Sequence, residues 1–153
     1  MHLRNSQGFT LIEVLIVVII MAVLAATIIP QFASSTTDAK ASALEYNLRV
    51  MREQMELYRM EHLKNLPTIS VNGLPQLTEA TNDAGEIGAS GDDYPYGPYV
   101  SSELPENSFD GSNKVTAVAA PGEKPGAVVG ALGGWQYDET TGGIWPNNAQ
   151  YYE

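Results

Sequence analysis

Between Phe9 and Ile29 lie twenty-one residues, of which only Thr10, Glu13 and Thr27 are polar. A helix needs about 20 apolar residues to cross a bilayer core of roughly 30 Å, so this run predicts a membrane-spanning helix. Leu, Ile, Val and Ala dominate it, and neither Gly nor Pro interrupts it before Pro30. Glu13 is the exception that constrains function. A carboxylate inside such a helix costs about 2.5–3.5 kcal/mol on insertion scales, and a group that expensive needs a partner or a task.

The junction upstream of the run is equally specific. A polar head, residues 1–8, ends in Gly8 and is followed at once by Phe9-Thr10-Leu11-Ile12-Glu13-Val14. A secretory signal peptide would be cut after its apolar part, and Leu24-Ala25-Ala26 offers such a place. The run here exceeds the usual length of about 7–15 residues, and a carboxylate inside it would be out of place. A plain single-span anchor explains the length but neither Glu13 nor the Gly8-Phe9 junction.

The stretch Gly8-Phe9-Thr10-Leu11-Ile12-Glu13-Val14 resembles the class III signal of type IV pilins and type II secretion pseudopilins. The resemblance proper runs from about Gly8 to Pro67. It implies that a prepilin peptidase cuts between Gly8 and Phe9 and N-methylates Phe9. It also implies that the retained helix assembles subunits into a helical filament, with Glu13 taking part. Pro30 occupies the place where the family has a helix bend. The implied fold is α+β: a long N-terminal helix, transmembrane and then amphipathic, packed on a small C-terminal antiparallel β-sheet. The expected segments are a leader at 1–8, an assembly helix at 9–29, its amphipathic continuation at 30–63, and an exported head at 64–153.

Residues 31–37, Gln-Phe-Ala-Ser-Ser-Thr-Thr, are poor helix formers and read as a flexible joint. From Asp38 to Leu63 a strong helical pattern returns. Leu44, Leu48, Met51, Met55, Tyr58 and His62 recur at alternating spacings of four and three, one apolar stripe. Charged residues occupy the other face, where Glu45–Arg49 and Glu56–Arg59 are spaced to pair. Pro67 closes the helical region. Leu74 to Thr81 reads as a short helix with Pro75 in its first turn, and Asn82 to Gly97 as turns. Lys114 to Ala119 reads as a strand, and 120–133 as a Gly-, Ala- and Pro-rich loop. Residues 134–138 and 143–145 read as a hairpin around Glu139-Thr140-Thr141-Gly142. One of Trp135 and Trp145 is expected to cover the helix stripe.

Charge and chemistry narrow the function. The net charge is −10, and loss of residues 1–8 removes Arg4 and no acid. Such a chain does not suit nucleic acid, which calls for basic patches; it keeps heads soluble and mutually repelling. Arg4 and the starting amine favour a cytoplasmic N-terminus; a single-pass chain in the inner membrane then has a periplasmic or extracellular head, periplasmic in a cell with two membranes. There is no Cys, hence no disulfide or thiolate site. Hydrolase, zinc-protease and P-loop signatures are missing, and His62 is the only histidine outside the leader, so no enzyme is expected. Asp92, Asp93 and Asp110, with Asn107 and Ser108, are the candidate oxygen ligands for Ca²⁺. The family's major pseudopilins carry calcium in a loop of this region. Tyr96-Gly97-Pro98-Tyr99 replaces their Asp-Pro-Trp-Gly-Asn-Pro-Tyr run, and a solvated acidic loop without cofactor is the favoured reading. Expected partners are further copies of the chain, other pilin-like subunits, the prepilin peptidase and inner-membrane assembly proteins. A type II secretion filament is the first reading of function, and a surface type IV pilus the second.

Overall fold

A computed structural model describes residues 8–148. The leader, apart from Gly8, lies outside the described residues. Helix α1 spans Leu11–Glu61, α2 spans Pro75–Thr78, and five short strands follow: β1 Ala80–Thr81, β2 Ile87–Gly88, β3 Val115–Ala117, β4 Trp135–Tyr137 and β5 Ile144–Pro146. The chain divides into two units, one ending at Ala39 and the other beginning at Lys40.

In the first unit, α1 begins two residues after Phe9 and continues through Pro30. Proline lacks the amide that would bond the carbonyl of Ala26, but a helix can absorb one such loss. Residues 31–37 are helical, which corrects the flexible joint expected there. Their hydroxyls turn inward on the helix: Ser34 Oγ donates to the Gln31 carbonyl at 3.0 Å and Thr36 Oγ1 to that of Phe32 at 2.8 Å. Back-bonding of this kind lets Ser and Thr sit in a helix without competing for its amides.

In the second unit the stripe on α1 is the floor of the core. Leu44, Leu48, Met51, Met55 and Tyr58 are buried against Leu74, Leu77, Val115, Trp135, Tyr137 and Ile144. Each fully buried side chain of this size contributes about 1.5–3 kcal/mol by leaving water. On the outer face Arg59 pairs with Glu56 at 3.2 Å, whereas Glu45 and Arg49 form no ion pair among the described residues. The helix ends at Glu61, and Leu63 and Lys64 follow with left-handed φ of 54° and 71°.

The β-structure forms two sheets. β1 and β2 pair antiparallel: β1 ends the stretch 74–81 expected to be helical, of which only Pro75–Thr78 is helix, and β2 lies in the expected turns; two residues each is too short to show alternation in sequence. The second sheet has the order β3-β4-β5. The expected hairpin is present: β4 and β5 are antiparallel with Tyr137 opposite Ile144. Gly142 takes φ +77° at the turn exit, a conformation costly for residues with a Cβ. β3, however, pairs parallel with β4, Val115 opposite Trp135. The sheet is therefore mixed rather than wholly antiparallel. Residues 118–134 supply the crossover that a parallel pair requires.

That crossover carries few large apolar side chains, and polar groups hold it instead. Asn147 clamps Val129 from both sides, Oδ1 accepting from its amide at 2.9 Å and Nδ2 donating to its carbonyl at 2.8 Å. Asp138 is buried and accepts from the Gly122 amide at 2.7 Å, from both the amide and the hydroxyl of Thr140, and from the Thr141 hydroxyl. Burial alone would raise its pKa. The bonds from Thr140, Gly122 and Thr141 outweigh burial and hold the carboxyl well below the usual carboxylate range.

Trp135 is the tryptophan that covers the stripe. It is fully buried, and its indole Nε1 donates to the Pro105 carbonyl at 2.8 Å. The same need for a partner explains Tyr137, whose hydroxyl donates to the Pro67 carbonyl at 3.0 Å.

Candidate functional site

The first site is the start of α1. Gly8, Phe9 and Thr10 precede the helix in irregular, exposed backbone. A side chain built on Gly8 would meet nothing within 4 Å, and Phe9 is 84% exposed. Gly8 and Phe9 are thus both exposed among the described residues.

Thr10 and Glu13 close on each other. The Glu13 carboxylate accepts from the Thr10 amide at 2.8 Å and from its hydroxyl at 2.7 Å, while the Glu13 amide donates to Thr10 Oγ1 at 3.3 Å. This is a capping box: N-cap threonine and N3 glutamate satisfy each other's amides, which the first turn of a helix cannot do internally. Sequence reasoning singled out Glu13 and overlooked Thr10, although the Thr-x-x-Glu spacing ahead of an apolar run carries that signal. In a single chain, then, the carboxylate is not idle. Any contact with another subunit has to compete with Thr10 or share the carboxylate with it.

From Leu11 to Ile29 the large apolar side chains stand exposed: Ile12 at 63%, Val18 at 57% and Ile29 at 66%. The described residues contain one helix long and apolar enough to cross a membrane. Single-pass anchoring fits that helix, and Pro30 lies directly after its apolar part.

The acidic candidates are distributed over separate loops. Asp92 and Asp93 form the exposed tip of a tight turn, where Tyr94 donates its amide to the Gly91 carbonyl at 3.0 Å. Asp110 is spent elsewhere: Oδ1 accepts from the Ser112 amide at 2.8 Å and Oδ2 from that of Gly134 at 3.0 Å. Asn107 is buried, with Nδ2 donating to the Gly134 carbonyl at 2.9 Å, and the Ser108 hydroxyl donates to the Lys40 carbonyl at 2.6 Å. Among the described residues no three groups of the Asp, Glu, His or Cys kind converge. The structure therefore brings Asp110, Asn107 and Ser108 into one folded loop without Asp92 or Asp93.

His62 is buried and stacks on Tyr58 with ring centroids 3.9 Å apart. Its Nδ1 donates to the Tyr58 carbonyl at 2.9 Å, and Nε2 meets Thr81 Oγ1 at 3.0 Å. Both nitrogens are occupied by scaffold atoms and none is offered to a substrate.

Comparison with known proteins bears on the same N-terminal stretch. Residues 3–29 match a family model described as the prokaryotic N-terminal methylation motif. Over 62 residues the chain is 32% identical to the type II secretion system core protein G of Pseudomonas aeruginosa, covering 40% of this chain and 44% of that protein. Over 60 residues it is 37% identical to the type IV wide pilus major component PilA4 of Thermus thermophilus, covering 39% and 46%. The N-terminal part of the chain is similar to type IV pilins and type II secretion pseudopilins. Prepilin peptidase-dependent protein A of Clostridium perfringens is 32% identical over 89 residues, 54% of this chain and 64% of that protein. The aligned regions span 44% to 64% of the length of these curated relatives. No solved structure matches the chain. By name, the first two of these relatives are a secretion-system core protein and a pilus major component rather than enzymes.

Proposed function

We propose that the chain is a subunit of a type II secretion pseudopilus, a filament that drives protein export. The observation that carries a polymerising role is the exposed apolar half of α1 joined to the Gly8-Phe9-Thr10-Leu11-Ile12-Glu13 junction. Prepilin peptidase cuts after Gly8 and methylates Phe9. The subunit waits in the inner membrane as a single-pass protein, N-terminus in the cytoplasm and head in the periplasm. Inner-membrane assembly proteins then draw it out beside other pilin-like subunits. In the filament the Phe9 amine of an incoming subunit meets Glu13 of its neighbour, which pairs two charges that are each costly alone in an apolar setting. Pro30, unable to bond Ala26, is where the helix yields during that packing. The acidic loops stay solvated and no cofactor is needed.

Likeness to the secretion core protein G supports the pseudopilus, and likeness to PilA4 supports the second reading, a surface pilus. The two separate on deletion of the gene. Loss of exoprotein release without loss of surface filaments supports the first; loss of surface filaments with normal release overturns it in favour of the second. Intact mass of the membrane-extracted protein tests processing. The expected chain begins at N-methylated Phe9, and a chain starting at Met1 or Thr27 would overturn the assignment.

A further inference from the structure

Two features of the head carry charged side chains with no ion pair among the described residues. The first is a cleft of about 530 Å³ between α1 and the β4–β5 hairpin. Arg52 and Arg59 from α1 and Lys124 from the crossover loop line it, with Leu66, Gly143 and Trp145 forming apolar wall. Arg52 is anchored: Nη2 donates to the Ile144 carbonyl at 3.1 Å, one of the five N–H donors of the guanidinium. Arg59 is pinned by Glu56 at 3.2 Å. Arg52 and Lys124 form no ion pair among the described residues. Glu123 also lines the cleft, so its side chains balance to one excess positive charge in a chain of net charge −10.

The second feature is the Asp92–Asp93 tip. Gly91 and Tyr94 bridge it at the base, and the Tyr94 ring lies against Gly88 so closely that any side chain at 88 would collide with it. The tip is therefore fixed in place. Both carboxylates are exposed, and neither has a hydrogen bond or ion pair among the described residues.

We infer that the Asp92–Asp93 tip of one copy docks in the Arg52–Lys124 cleft of the next copy along the filament. This rests on the filament reading above and adds a contact between heads to it. Heads of this net charge repel one another, so their packing needs a local patch of opposite sign. A planar guanidinium held from one side is suited to receive a carboxylate from the other. Tip and cleft are different surfaces of one chain. A contact between unlike surfaces repeats from copy to copy, and where its rotation does not close it builds an open helical assembly.

The test uses the full chain in its own cells, with filament recovered from the periplasm or the cell surface measured against mature membrane-bound subunit. Asp92→Lys with Asp93→Lys, and separately Arg52→Glu with Lys124→Glu, should each lower filament yield about tenfold by placing like charges together. All four substitutions in one chain should restore it to within about twofold of wild type. Yields that stay at the wild-type level, or a fourfold variant no better than its parents, overturn the contact. Arg52→Glu also removes the bond to Ile144, so a second arm avoids Arg52. The chain has no cysteine, so Asp93→Cys with Lys124→Cys introduces the only two. Oxidised filaments should yield a ladder of covalent multimers that needs both cysteines. Filaments that form without such a ladder overturn the contact. A wild-type chain that makes no filament overturns the filament reading and this contact with it.

Discussion

The two units of this chain treat apolar residues in opposite ways. In the first, the large side chains from Leu11 to Ile29 stand mostly half or more exposed. In the second, Leu44, Met51, Met55 and Tyr58 are buried almost completely on the same continuous helix. A helix apolar all round has no preferred side and needs a surrounding, lipid or other helices. A helix with one stripe needs a single lid, which the sheet provides. The first unit is incomplete without a partner, and the second is complete by itself.

The largest expected contrast comes from placing polar groups in the two regions. Met51→Asp puts an unpaired charge into the core and should cost about 3–5 kcal/mol, enough to unfold a small head. Ile16→Ser should leave the head's melting temperature within about 2 °C of wild type, because Ile16 stabilises nothing there. Near-UV circular dichroism on the detergent-solubilised chain reads both. Equal melting temperatures for Met51→Asp and wild type would show that the stripe is not core.

Asp138 gives a smaller effect with a pH signature. Its carboxyl titrates below its ordinary value in the folded head. Its stabilising contribution is therefore fully present above the ordinary carboxylate range and is lost as pH falls below that range toward the depressed folded value. Asp138→Asn keeps the shape but turns an acceptor into a donor at one end, and should cost about 1–3 kcal/mol at neutral pH. The cost should shrink in acid. A variant whose deficit is the same at pH 7 and pH 3 would contradict the assignment.

Smaller still are the surface features. Glu56→Ala removes an exposed ion pair at 3.2 Å and should change head stability by about 0.5 kcal/mol or less. A calcium chelator should shift the melting temperature by less than about 1 °C, whereas a fall of several degrees would indicate a bound ion that stabilises the folded state.

What could be read from the sequence followed periodicity. The spacing of Leu44, Leu48, Met51, Met55, Tyr58 and His62 fixes a helix face, and all six are buried. The hairpin was legible because Thr140-Thr141-Gly142 is turn chemistry between Trp-x-Tyr and Ile-Trp. The parallel placement of β3 was not legible, since three-residue strands carry no register and the crossover is held by Asn147 and Asp138 from a distance. Residues 31–37 read as a joint because propensity counts their hydroxyls as competitors, whereas Ser34 and Thr36 bond back onto their own helix. At the candidate site, Gly8, Phe9 and Glu13 stood out by chemistry. Thr10 did not, because a threonine entering a membrane helix looks merely tolerated until its amide and hydroxyl are seen on the carboxylate.

The central claim is that the charge on Glu13 serves assembly and not only the helix start. Glutamine is an accepted third residue of a capping box, so Glu13→Gln preserves the cap with Thr10 and removes the charge. The deciding quantity is filament recovered from the periplasm or the cell surface relative to mature membrane-bound subunit. The account predicts normal cleavage at Gly8 and a filament ratio lowered about tenfold or more, as expected when the amine of Phe9 loses its partner. A Glu13→Gln ratio equal to wild type would contradict it and leave Glu13 as a helix cap alone.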